Sequence, residues 1–121
     1  MRFISSHLHG VLDYFMLIIL LASPWIFEFS DVQEAMIVPM ATGVLILLMS
    51  LTTKYEFGVI NLISLRIHLM IDILAGIILT MSPWLLGFRD WVFWPHFILG
   101  ILLIFGGFFT HYGLRKTSFR T

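Results

Sequence analysis

Two histidines and two aspartates stand in this chain where ionisable groups are hardest to accommodate. His9 and Asp13 lie four positions apart inside one apolar run, and His68 and Asp72 repeat that spacing inside another. On a helix, residues i and i+4 share a face, so each imidazole lies one turn from its carboxylate. Three chemistries suit such pairs. Each pair could satisfy itself by a hydrogen bond and hold helices together, with Lys54 neutralising a carboxylate. Together, His9, Asp13, His68 and Asp72 could offer an N2O2 donor set to zinc or another divalent ion. The two histidines could instead be axial ligands of a b-type haem. The third chemistry is proton movement, since imidazole titrates near neutrality and intramembrane Asp–His chains relay protons. The HxxxD pattern is loose, and the spacing by itself names no cofactor.

The elements that must position these groups follow from composition. Of 121 residues, 60% are hydrophobic and only 12% charged, and the mean hydropathy is +1.00. A soluble domain this small lacks the polar side chains to cover its surface, so an integral membrane protein is expected, with the lipid bilayer as its first partner. Formal net charge is zero, which gives no reason to expect nucleic acid as a partner. No cysteine is present, which excludes disulfides and thiolate redox or metal chemistry.

Four apolar stretches run from about Ser6 to Phe27, Ala35 to Thr53, Ile67 to Phe88 and Trp91 to Thr110. A spanning helix needs roughly 20 residues, so all four are expected to cross the bilayer as an all-α four-helix transmembrane bundle. Arg2 followed by an apolar run and Ala22-Ser23 also fits a signal peptide. That reading is disfavoured because the third stretch repeats the first. Arg2, Lys54, Arg66, Arg115, Lys116 and Arg120 would share one side, with only Arg89 opposite. The positive-inside rule then predicts both termini in the cytoplasm. Trp25, Trp84, Trp91 and Trp94 fall at the outer interface, with Tyr55 and Tyr112 at the inner one.

Shifting the chain by 59 positions lays Ser5–Asp31 on Ser64–Asp90 with 11 identities in 27 positions. With a connection two residues shorter, Thr53-Lys54-Tyr55 then falls on Thr110-His111-Tyr112. The chain therefore reads as a tandem duplication of a two-helix hairpin within a single membrane domain. The first copy covers about residues 5–57, the second about 64–114, and a short basic tail 115–121 follows. Two-span units preserve orientation, which predicts a pseudo-two-fold axis along the membrane normal.

The matched tripeptides Ser23-Pro24-Trp25 and Ser82-Pro83-Trp84 resemble the signature of the SPW-repeat family of small bacterial membrane proteins. The resemblance covers nearly the whole chain and implies a bacterial cytoplasmic-membrane protein of two hairpin repeats. It brings no established activity. Proline lacks an N–H and bends or ends a helix, the serine hydroxyl can take up the freed backbone group, and tryptophan anchors the interface.

With helices starting near Ser5 and Ser64, each aspartate lies about 12 Å along its helix, inside the cytoplasmic half of the core. The second and fourth helices bring Thr53, Lys54 and Tyr55, and Thr110, His111 and Tyr112, to that side. A polar cluster of His9, Asp13, His68 and Asp72, joined by Lys54 and His111, is expected. His96, among tryptophans, is expected as an interfacial side chain, and His7 in the headgroup layer. Gly43, Gly100, Gly106 and Gly107 read as flat packing surfaces, which makes a homo-oligomer or a membrane-protein partner plausible. An enzyme is the least supported class: no catalytic triad, phosphate loop or redox cysteine is visible. The expectation is a small four-span protein whose His–Asp cluster serves packing and responds to protons or metal. A purely structural scaffold or accessory subunit is the alternative.

Overall fold

A computed structural model describes residues 2–112. The basic tail 115–121, with Arg115, Lys116 and Arg120, lies outside the described residues. Four α-helices, α1 (Ser6–Ile26), α2 (Gln33–Thr52), α3 (Leu65–Leu85) and α4 (Trp94–Phe109), make up the architecture, and no strand forms among the described residues. α1 and α3 begin alike. Ser5 accepts a hydrogen bond from the Leu8 amide and Ser64 from the Ile67 amide, each satisfying a donor that a helix start leaves free.

Both long helices also end alike, at the SPW tripeptide. Pro24 and Pro83 cannot donate to the carbonyls of Leu20 and Leu79 four residues back. The Ser23 hydroxyl donates to Leu20 O at 2.7 Å, and the Ser82 hydroxyl to Leu79 O at 2.8 Å. The serine thus supplies the donor that its neighbouring proline lacks, and the helix runs on to Ile26 or Leu85. Chain reversal follows through left-handed residues, Glu28 (φ 58°) and Gly87 (φ 76°).

Among the described residues three helices are long and apolar enough to cross a bilayer: α1, α2 and α3. The fourth differs from the expectation. Its apolar stretch begins at Trp91, but the helix starts only at Trp94, with Pro95 in its first turn, and has 16 residues. That is about 24 Å of helix at 1.5 Å per residue, short of a full hydrocarbon thickness. Residues 91–93 belong instead to the turn that returns the chain from α3.

Polarity is distributed inside out. Phe15, Ile18, Leu74 and Leu102 face outward, while Ser50, Thr42, His9, Asp13, His68 and Asp72 are buried. Such a surface suits lipid contact, not water. Inside, α3 and α4 pack closely because Gly76 and Gly100 meet: a Cβ on either would come within 2.7 Å of the other's carbonyl oxygen. Gly107 likewise lies against Leu69 O, and Gly43 against Leu20 and Leu21. These glycines serve contacts within the chain.

The helix ends on the His–Asp side are tied together by two short parallel bridges, Ile4 with Thr110 and Thr53 with Ile63. Ile4 N–H donates to Phe109 O at 2.9 Å and His111 N–H to Ile4 O at 2.8 Å; Lys54 N–H donates to Ile63 O at 2.8 Å. These bridges set the end of α4 beside the start of α1, and the end of α2 beside the start of α3.

Candidate His–Asp centre

The four ionisable side chains of α1 and α3 converge. One donor atom from each of His9, Asp13, His68 and Asp72 lies within 4.8 Å of the others, and all four residues are buried. The pairing is crossed. His9 Nε2 lies 3.1 Å from Asp13 Oδ1 on its own helix and 3.0 Å from Asp72 Oδ2 on α3. His68 Nε2 lies 2.9 Å from Asp13 Oδ2 and 3.3 Å from Asp72 Oδ2. Each imidazole therefore faces both carboxylates.

The remaining ring nitrogens identify the tautomer. His9 Nδ1 is 2.8 Å from the Thr110 hydroxyl, and His68 Nδ1 is 2.6 Å from that of Thr53. Each threonine has one hydroxyl proton, already given to a carbonyl four residues back: Thr53 to Met49 O at 2.5 Å and Thr110 to Gly106 O at 2.6 Å. Both threonine oxygens are left as acceptors, so both Nδ1 atoms must carry the hydrogen. Nε2 of each ring then points at the carboxylates either bare or as part of an imidazolium. His68 Nε2 approaches both carboxylates off its ring axis and has no well-aligned hydrogen-bond partner.

Sequence reasoning brought both threonines to this side but placed Lys54 and His111, and not the threonines, in the cluster. Lys54 and His111 are exposed and outside it. The reason is local geometry. Thr53 (φ −90°, ψ 145°) and Thr110 (φ −91°, ψ 138°) are extended residues in the bridges, and successive side chains of an extended segment point to opposite sides. If the threonine points inward, its successor points outward. The matched Thr-x-Tyr triplets carried the signal, read one position too late.

The centre's surroundings are not equivalent. Asp13 Oδ2 also faces the Ser50 hydroxyl at 3.4 Å and the Tyr55 hydroxyl at 3.5 Å. Burial foremost, with the Asp13 charge adding to it, pushes the Tyr55 phenol well above its ordinary range, so it stays protonated and available as a donor. At the position matching Ser50 stands Gly107. Tyr112, the counterpart of Tyr55, instead lies under the guanidinium groups of Arg2 (4.5 Å) and Arg66 (5.0 Å). Arg2 also caps α4, donating to Thr110 O at 2.8 Å.

His96 is not an interfacial side chain. It is 1% exposed, between the rings of Phe29 and Phe88, each 4.8 Å away, and its Nε2 donates to Ala35 O at 2.7 Å. The SPW turns bring the two phenylalanines inward to cover it. Trp25 and Trp84 themselves face outward, as interface anchors do.

The donor set can be tested against each group it was expected to suit. Haem does not fit: the two Nε2 atoms meet the same pair of carboxylates, and the rings lie 5.5 Å apart at 80°. A porphyrin plane has no slot between them. A divalent ion does fit. Tetrahedral zinc bonds of about 2.0–2.2 Å set ligand atoms roughly 3.3–3.5 Å apart. The His–Asp separations of 2.9–3.3 Å are close to that, and the four donor atoms, now within 4.8 Å of one another, would draw in around the ion. Two carboxylates and two neutral imidazoles would neutralise a divalent charge, and the Nδ1–H···Thr bonds are the outer support that metal-ligating histidines need.

A family model described as the SPW repeat domain matches residues 7–110. No curated protein and no solved structure matches the chain.

Proposed function

Because this chain belongs to the SPW repeat family, we propose that it is a protein of a bacterial cytoplasmic membrane whose His–Asp centre holds two exchangeable positive charges. That membrane is crossed by α1, α2 and α3 and, with the bilayer thinned locally to match it, by the shorter α4. In this reading the two tandem repeats, beginning near Ser5 and Ser64, are hairpins related by a pseudo-two-fold axis, with the Arg2, Lys54 and Arg66 side facing the cytoplasm. In the metal-free state the two charges are protons on the Nε2 atoms of His9 and His68, balancing Asp13 and Asp72. One divalent cation can replace both.

The observation carrying this reading is the double hydrogen bond at each threonine. With Thr53 and Thr110 committed as acceptors, both Nε2 atoms converge on two carboxylates. Bare nitrogens and carboxylate oxygens at 2.9–3.3 Å repel one another unless a positive charge lies among them. Protons or a cation must supply it.

The test is a zinc titration of protein purified in detergent, with metal per chain and protons released measured together. The expected result is one ion per chain and close to two protons released, both lost in Asp72→Asn. No uptake by a folded wild-type protein would leave a fixed ion-pair cluster whose role is packing, as in a structural scaffold.

A further inference from the structure

A cavity open towards the lipid reaches the centre. It lies between α1 and α4, neighbours that touch far less than α1 and α2 or α3 and α4, and has a volume of about 380 Å³. Its walls are apolar, Phe15 and Phe105 stand at it, and its floor is His9, Asp13 and Asp72. A volume of this size lies in the range of small-ligand sites.

The α2–α3 side carries the counterpart groove, about 320 Å³, where Ile71, Leu74, Ala75 and Ile78 replace Leu12, Phe15, Met16 and Ile19. It does not reach the centre. At one pair of matched positions Met49 on α2, 4% exposed, stands where α4 carries Gly106. A Cβ on Gly106 would meet only the His9 ring, at 3.7 Å, so glycine is not demanded there by packing. What glycine does at that position is keep the floor accessible.

The floor has a defined polarity. Asp72 meets both histidines through Oδ2 alone, and its Oδ1 has no hydrogen bond among the described residues. The open group is therefore an acceptor at the end of an apolar, partly aromatic slot. We infer that the α1–α4 cavity binds a lipid-soluble phenol, its ring between Phe15, Phe105 and His9 and its hydroxyl donating to the Asp72 carboxylate. The chemistry fits: the walls take the ring and tail, and the hydroxyl meets an acceptor that a hydrocarbon chain leaves unsatisfied. The inference needs no metal, so it stands or falls apart from the cation reading.

The experiment is native mass spectrometry of metal-free full-length protein in detergent, with 4-dodecylphenol and its methyl ether 4-dodecylanisole as probes. One phenol should bind per chain, with the ether at least roughly tenfold weaker for want of the donor. Gly106→Met, which copies Met49, should abolish phenol binding while helicity and the unfolding midpoint hold. Leu45→Met, on the counterpart groove, should leave it unchanged. Equal binding of phenol and ether, or phenol binding that survives Gly106→Met, would show only an acyl chain filling a gap and overturn the inference. So would a failure of the phenol to bind the folded wild-type protein.

Discussion

His9 on α1 is held as closely by Asp72 on α3 as by Asp13 one turn along its own helix, 3.0 Å against 3.1 Å. The two His–Asp pairs thus form one cross-linked object. An exposed i,i+4 pair contributes about 0.3–0.5 kcal/mol; breaking a buried, mutually compensating set leaves an uncompensated charge in low dielectric.

Asp72→Asn should accordingly destabilise the protein by about 3–5 kcal/mol, measured from denaturant unfolding in detergent. The double variant His9→Gln/Asp72→Asn should lose much less than the sum of the single losses. Additive losses would mean that the two residues are not coupled.

Thr53→Val and Thr110→Val each strip an acceptor from a buried Nδ1–H. Each should cost about 1–3 kcal/mol in stability and lower zinc affinity roughly 10–100-fold. Serine at either position retains the hydroxyl and should restore most of the affinity. A valine variant with unchanged affinity would remove the tautomer argument.

Zinc affinity should fall with falling pH, because protons compete for both Nε2 atoms. Where the metal-free centre holds both protons, binding one ion releases two. The dissociation constant should then rise about hundredfold for each unit that pH is lowered. A pH-independent constant would dissociate metal uptake from the histidines.

Ser82→Ala should cost about 1 kcal/mol by leaving Leu79 O without its donor in a site that water does not reach. Replacing Pro83 by alanine in the same chain should recover the loss, since the new backbone N–H can reach that carbonyl. If the double variant is no more stable than Ser82→Ala, the serine does something other than compensate the proline.

Lys54→Ala and His111→Ala should each change stability by less than about 0.5 kcal/mol and leave metal uptake intact, because both side chains point away from the centre. A loss of zinc binding in either would return them to the cluster.

Much of this protein was determined by the linear chain alone. Apolar runs of about 20 residues have few ways to satisfy their backbone except as helices, which makes the all-α architecture legible. The fourth run shows the limit: hydropathy marks Trp91 as part of a span, but Pro95 and the turn after α3 start the helix at Trp94. The recurrence of His9 and Asp13 as His68 and Asp72 was enough to place four ionisable groups at matched positions along two helices. Helical periodicity could assign each histidine only to its own aspartate. Whether it also reached the other one depended on how close α1 and α3 come, a tertiary quantity. The same holds for Thr53 and Thr110, whose inward direction comes from two residues of extended backbone pinned by bridges to Ile63 and Ile4. His96 shows it at the opposite end. Its neighbours in the chain are tryptophans of the interface, while its neighbours in space are Phe29 and Phe88, folded over it by the SPW turns. Local spacing fixes which face a side chain shares; only packing between distant segments decides what that face meets.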